Sequence, residues 1–194
     1  MKNRTINIRK TIFLAFLLVS GFLVAQESKV NVKESKLTVL GTSNVHDWHV
    51  NAEVMSGKAL FVSENNTLKE IKNLNFVLAS EGLKSGKSGM DKNTFKALKT
   101  STYKNIEFKL INVTKITKKG EGVFTVEAQG NLTICGVTKK INQVFNVKVI
   151  NDKFVLNGKQ RIDMTNYVIE PPKALMGTIK TGKDVTAEFN VTYN

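Results

Sequence analysis

SGMDKNTFKALKTSTYKNIEFKL, residues 88–110, changes its hydrophobic period once, and that change sets the reading of the fold. Met90, Thr94 and Leu98 recur at i, i+4 and i+8, and Phe95 stands three before Leu98. Together they predict one broad face of a short helix. Ser88 or Asp91 is placed to cap its start. From Ile106 the period becomes two: Ile106, Phe108 and Leu110 alternate with Glu107 and Lys109, which predicts a half-buried strand. A short helix feeding a strand sets a small apolar plug beside a sheet. The rest of the chain then reads as that sheet, rolled around an apolar interior that this segment closes.

Outward from there the alternation continues in both directions. On the N-terminal side, Val30–Val32 predicts a short strand, and Leu37 and Val39 begin the first firm one. From 46 to 54, His46, Trp48, Val50, Ala52 and Val54 alternate with Asp47, His49, Asn51 and Glu53. Ser56-Gly57 predicts a break, 58–62 a strand, Glu64-Asn65-Asn66 a turn, and Leu74, Phe76 and Leu78 another strand. On the C-terminal side, Val113 and Ile116 extend the strand to a turn at 119–122. Phe124, Val126, Ala128, Gly130, Leu132 and Ile134 then give the longest alternating face. Gly136-Val137-Thr138 predicts a turn. Ile141, Phe145, Val147 and Val149 follow, then a turn at Asn151-Asp152. Phe154 and Leu156 come next, with Ile162 and Met164 continuing after Gly158. The stretch 165–183 has no clean period and predicts a long ordered loop. Val185 to Tyr193 closes the chain as a strand. This makes about eight strands in near-meander order, several alternating for roughly nine to twelve residues, which at ~3.3 Å per residue spans about 30–40 Å. Tall antiparallel strands with one apolar face suit a narrow barrel able to hold one small ligand.

The 194 residues fit one such domain preceded by a leader. Lys2, Arg4, Arg9 and Lys10 precede an apolar run from Ile12 to Val24, and Ala25 is a suitable cleavage residue. This predicts a secretory signal peptide over 1–25 and a single barrel domain over 26–194. The leader carries four cations and no anion, so removing it lowers the net charge of +13 by four, to +9. The remaining lysines are scattered, as on a solvated surface. No basic run interleaves with aromatics, which argues against a nucleic-acid partner. A membrane surface with anionic headgroups is the partner such a charge would attract. The lone Cys135 excludes an internal disulfide, so stability rests on the core.

Chemistry-bearing residues are few. His46 and His49 are the only histidines, and a strand sends them to opposite faces while Asp47 and His49 share one. A surface Asp47–His49 pair is expected rather than a metal site. No nucleophile-elbow motif accompanies these histidines. Glu170 precedes Pro171-Pro172 in the long loop, where a stiffened lid is the expectation. No catalytic residue, metal or cofactor is assigned.

Four stretches in order, GTSNVHDW at 41–48, MDKNTFKALKTSTYKNIEF at 90–108, GNLTICGVTKKI at 130–141 and IEPPKALMGTIKTGKDVTAEF at 169–189, resemble the YceI-like family of periplasmic, lipocalin-like, polyisoprenoid-binding proteins. The resemblance covers about residues 36–193. It implies an all-β fold, an extended antiparallel eight-stranded lipocalin-like barrel with one short helix. It also implies a periplasmic location and an elongated apolar cavity for a non-covalently held prenyl-chain lipid such as a quinone or its precursor. Within that barrel the expected lining is Trp48, Phe76, Leu78, Met90, Phe95, Leu98, Tyr103, Ile106, Phe108, Phe124, Val126, Met164, Tyr167, Leu175 and Met176. Phe95 is expected at the tunnel mouth with Met90 and Leu98. The partner is then an apolar lipid, with a dimer as a candidate assembly. Two other classes stay open: a secreted enzyme of the same barrel class using Asp47, His49 or Glu170, and a stress-protective interaction protein whose interior is filled.

Overall fold

The computed structural model describes residues 25–194, so the expected signal peptide lies outside the described residues except for Ala25. The chain forms β1 (Ala25–Lys29), β2 (Lys36–Ser43), β3 (Trp48–Ala52), β4 (Met55–Glu64), β5 (Thr67–Ala79), β6 (Leu83–Lys84), α1 (Ser88–Ala97), β7 (Asn105–Gly120), β8 (Val123–Ile134), β9 (Val137–Ile150), β10 (Lys153–Asp163), β11 (Lys173–Ala174) and β12 (Ile179–Tyr193). The strands run in the order β1-β4-β5-β7-β8-β9-β10-β12-β2-β3-β6, with the two-residue β11 attached to β12. All pairings are antiparallel.

The count of twelve strands corrects the expected eight, and the cause is local. β3 and β4 are one rail interrupted at Glu53-Val54, and β5 and β6 are one rail interrupted by the single 3-10 turn Ser80–Gly82. The two interruptions face each other: Glu53 N–H donates to the Gly82 carbonyl at 2.8 Å and Ala79 N–H to that of Val54 at 3.0 Å. The expected break at Ser56-Gly57 does not occur, because both residues sit inside β4. Joined this way, β2, β3–β4, β5–β6, β7, β8, β9, β10 and β12 make eight rails. β12 pairs with β2 and β2 with β3, so the sheet returns on itself as an all-β barrel. Where β2 stops short, β1 fills the place. It pairs with β4 on one side. On the other, Lys29 and Asn194 exchange backbone bonds of 2.8 and 2.9 Å.

The two ends of the barrel differ. At the lower end the hairpins are tight. Asn65-Asn66 and Asn151-Asp152 both hold positive φ, the paired left-handed geometry whose twist matches the flanking strands. At the upper end only Cys135-Gly136 is tight; this places the turn before Val137, one residue earlier than read from Gly136-Val137-Thr138. The connections 44–47, 80–104 and 164–178 are at that upper end. The stretch expected as one loop is more structured, with 3-10 turns at Met164–Tyr167 and Leu175–Gly177, β11 between them, and β12 already begun at Ile179.

The interior is filled below and open above. Phe61 and Phe154 stack at 4.0 Å with Tyr193 edge-on to Phe61 at 5.6 Å, and Phe124, Val126 and Val147 close around them. In β7 the inward residues Leu110, Val113 and Ile116 are three apart instead of two, because β7 carries a bulge against β8 between each pair of contacts. Higher up, Leu37, Val50, Met55 and Leu78 form one wall. Leu132, Ile134, Met164, Ile169 and Val185 form another.

Candidate functional site

Between those walls lies a cavity of about 220 Å³. Its floor is Leu74, Leu156, Val191 and Tyr193, and its upper rim is Trp48, Thr94, Ala97, Leu98, Ile169 and Pro172. Of the residues expected from sequence, Trp48, Phe76, Leu78, Leu98, Ile106, Phe108 and Met164 line it. The others go elsewhere. Phe124 and Val126 face inward but belong to the filled lower core. Tyr103 and Tyr167 pack in the layer around Leu132 and Ile134, and Met90 packs on the Leu37–Val50 wall. Phe95 lies beneath the Lys84 ammonium, 4.6 Å from its ring centroid, away from the cavity. Leu175 and Met176 stand out into solvent, 72% and 109% exposed.

The lining that sequence reasoning missed comes mostly from the last three long strands: Ile141, Gln143 and Phe145 on β9, Leu156, Gln160 and Ile162 on β10, and Val185, Ala187, Phe189 and Val191 on β12. The signal was present in their alternation. What alternation does not carry is the height at which an inward residue stops being core and becomes wall.

Two close approaches shape the wall. The Trp48 indole lies over Gly41 and the Phe108 ring over Gly130, so neither position has room for a Cβ. The indole N–H of Trp48 donates to the Thr42 carbonyl at 2.9 Å, which fixes the ring at the rim. Polar lining groups are tied to the backbone. Thr94 hydroxyl donates to Met90 O at 3.0 Å, and Tyr193 hydroxyl to Asn75 O at 3.1 Å. Burial pushes the Tyr193 hydroxyl pKa well up. No acid, amine, imidazole or thiol side chain lines the cavity.

The reactive residues lie elsewhere. His46, Asp47 and His49 are exposed. The expected Asp47–His49 pair does not form: β3 begins only at Trp48, and His46 Nδ1 sits 2.8 Å from the Asp47 carbonyl. Glu170 is an exposed partner of Lys173 at 3.2 Å. Cys135 is buried at the upper hairpin, where its thiol donates to Leu98 O at 3.2 Å and desolvation raises its pKa, the opposite of an activated nucleophile. Among the described residues, no three His, Cys, Asp or Glu side chains converge as a metal site. The arrangement is therefore a largely apolar pocket with its charged, imidazole and thiol groups outside it.

Comparison with known proteins agrees with this architecture. The polyisoprenoid-binding domain from Saccharophagus degradans implicated in plant cell wall breakdown superposes with a TM-score of 0.69 at 16% identity, over 88% of this chain and 99% of that one. BcnA of Burkholderia cenocepacia gives 0.67 at 13% identity, over 84% and 98%. The YCEI protein of Campylobacter jejuni gives 0.53 at 17% identity, over 99% and 97%. At these identities the likeness is one of fold. No curated protein matches the chain. The YceI-like domain matches residues 23–193, nearly the whole of what forms the barrel, and the chain belongs to that family.

Proposed function

We propose that the protein is a periplasmic carrier that holds one long apolar lipid, of isoprenoid or quinone type, in the barrel interior for transport or sequestration, without acting on it chemically. The observation that carries this reading is the upper cavity, lined mainly by apolar side chains and by no carboxylate, amine, imidazole or thiol. A fully packed interior, as a protein acting only through its surface would have, is not what this barrel contains. Each methylene-sized group buried is worth about 0.8 kcal/mol, so affinity would come from the chain, with few polar contacts orienting the head. The enzyme alternative has its three residues, Asp47, His49 and Glu170, on the outside.

The upper end also suits a lipid surface as partner. Val45, Val168, Leu175 and Met176 are its exposed apolar tips. Asn44 ties the first of these loops to the last through bonds to Thr178 O at 3.0 Å and from Lys180 N at 2.8 Å. Lys173 and Lys180 flank the tips.

Trp48 is the only tryptophan and sits on the cavity rim, which gives a direct test. Titration with geranylgeraniol, a C20 isoprenoid alcohol, is expected to change its fluorescence saturably. An unchanged spectrum up to the solubility of the probe would refute the carrier reading.

A further inference from the structure

One side chain in the cavity wall has hydrogen-bonding capacity that the protein leaves open. Gln143 is on the inward face of β9 between Ile141 and Phe145, and is only 6% exposed. The β9–β10 ladder ends at the pair Phe145–Gly158. Gln143 and Gln160 flank the point where the two strands part. Their amide nitrogens serve the main chain there. Gln143 Nε2 donates to Val144 O at 2.9 Å and to Lys159 O at 3.2 Å, and Gln160 Nε2 donates to Arg161 O at 2.8 Å. Those carbonyl partners fix which way each carboxamide points, because only its nitrogen can donate to them. The oxygens are left over. Neither Oε1 accepts a bond among the described residues. The only sealed polar side-chain atom without a partner among the described residues is Ser28 Oγ, so Gln143 Oε1 touches open space. Gln143 is one of the residues that line the cavity.

Resting on the carrier reading above, we infer that Gln143, both of whose amide hydrogens are taken by main-chain carbonyls, is a head-group subsite that accepts a hydrogen bond from an uncharged donating head, an alcohol or phenol hydroxyl, and disfavours heads that only accept. A hydroxyl gives its proton to an amide oxygen that is otherwise unpaired in an apolar wall. A quinone carbonyl or an ether brings a second acceptor to the same place and leaves both oxygens unpaired, which a buried site penalises. A phosphate or carboxylate is worse placed, since the cavity wall has no lysine or arginine to meet its charge. The subsite therefore selects prenyl alcohols and hydroquinones over quinones, esters and prenyl phosphates.

The test compares geranylgeraniol with its methyl ether, the same chain with the donor removed, both read by Trp48 fluorescence. The alcohol is expected to bind roughly three- to tenfold more tightly, the effect of one ordinary hydrogen bond. In Gln143→Met, of similar length and without the acceptor, the ratio should fall to about one through loss of alcohol affinity. Equal affinities in the unaltered protein overturn the subsite whether or not the variant folds, and so does a ratio that survives in Gln143→Met. If neither probe binds, the carrier reading fails and the subsite with it.

Discussion

Gly130 and Phe108 together set the width of the cavity at mid-height. The ring lies where a Cβ on residue 130 would be, so Gly130→Ala must push Phe108 off the β8 wall and into the open space. Overpacking of this kind costs about 1–3 kcal/mol, and here it should also reduce the volume left for a lipid. The expected result is a lowered denaturant midpoint together with weaker uptake of geranylgeraniol; unchanged uptake would mean that the ring moves aside without entering the cavity. Asp163 is one of three carboxylates among the described residues, with Glu27 and Asp91, whose pKa the fold lowers. Its carboxylate accepts from Lys183 at 2.7 Å and from the Thr165 hydroxyl and N–H at 2.6 and 2.9 Å. These partners, Lys183 first, lower its pKa from 3.8 to about 2. The ionised form is thus favoured in the fold over the unfolded chain. The stability it adds is complete above the unfolded value and is lost as the pH falls from about 4 towards 2. Asp163→Asn should flatten that part of the stability–pH curve; an unchanged slope would show that the pair is too well solvated to matter. At this scale much was legible in the sequence: the inward faces of β8, β9 and β12 could be read as alternations. Gln143 was not, because a glutamine on an inward face gains meaning only once its neighbours show which of its atoms are occupied.

Helix α1 is the element that the sequence marked out, and its position over the upper rim follows from its stripe. Thr94, Ala97 and Leu98 line the cavity, and Met90 packs just outside it. Phe95 is roughly 100° around the helix from Thr94, beyond the edge of that stripe, and it lies under Lys84 instead. The two residues should therefore behave oppositely. Leu98→Asp places a carboxylate at the rim and is expected to cut lipid retention severalfold with a stability loss of about 1–3 kcal/mol. Phe95→Asp loses a cation–π contact but sets an acid beside Lys84, so retention and melting temperature should stay close to the parent. Lipid loss in Phe95→Asp would return that ring to the mouth. The helix and the strands were legible because each has its own period. The breaks were not. Glu53-Val54 and Ser80–Gly82 interrupt two rails at matching heights, and that match exists only once the rails are paired. The stretch 164–178 lacked a period because it is built of single 3-10 turns around the two-residue β11.

For the whole molecule the asymmetry of the two ends is the main structural fact. The lower end is sealed by tight hairpins over stacked aromatics, so a ligand must pass the upper one. There Leu175 and Met176 are held outward with φ of 48° and 54°, conformations that are unfavourable for side chains of their size. If they touch a bilayer, Leu175→Ser with Met176→Ser should weaken binding to anionic vesicles and slow lipid uptake from them, while leaving the equilibrium affinity for dissolved geranylgeraniol unchanged. Equal vesicle binding by parent and variant would remove the lip from the account. The central claim is that the barrel is a container whose natural content is one lipid. Native mass spectrometry of the protein, purified gently without detergent, tests it most directly. The prediction is a species heavier than the polypeptide by one lipid, released on solvent extraction as a prenyl alcohol or hydroquinone. Protein found only at the mass of the bare chain, with nothing in the extract, would contradict it.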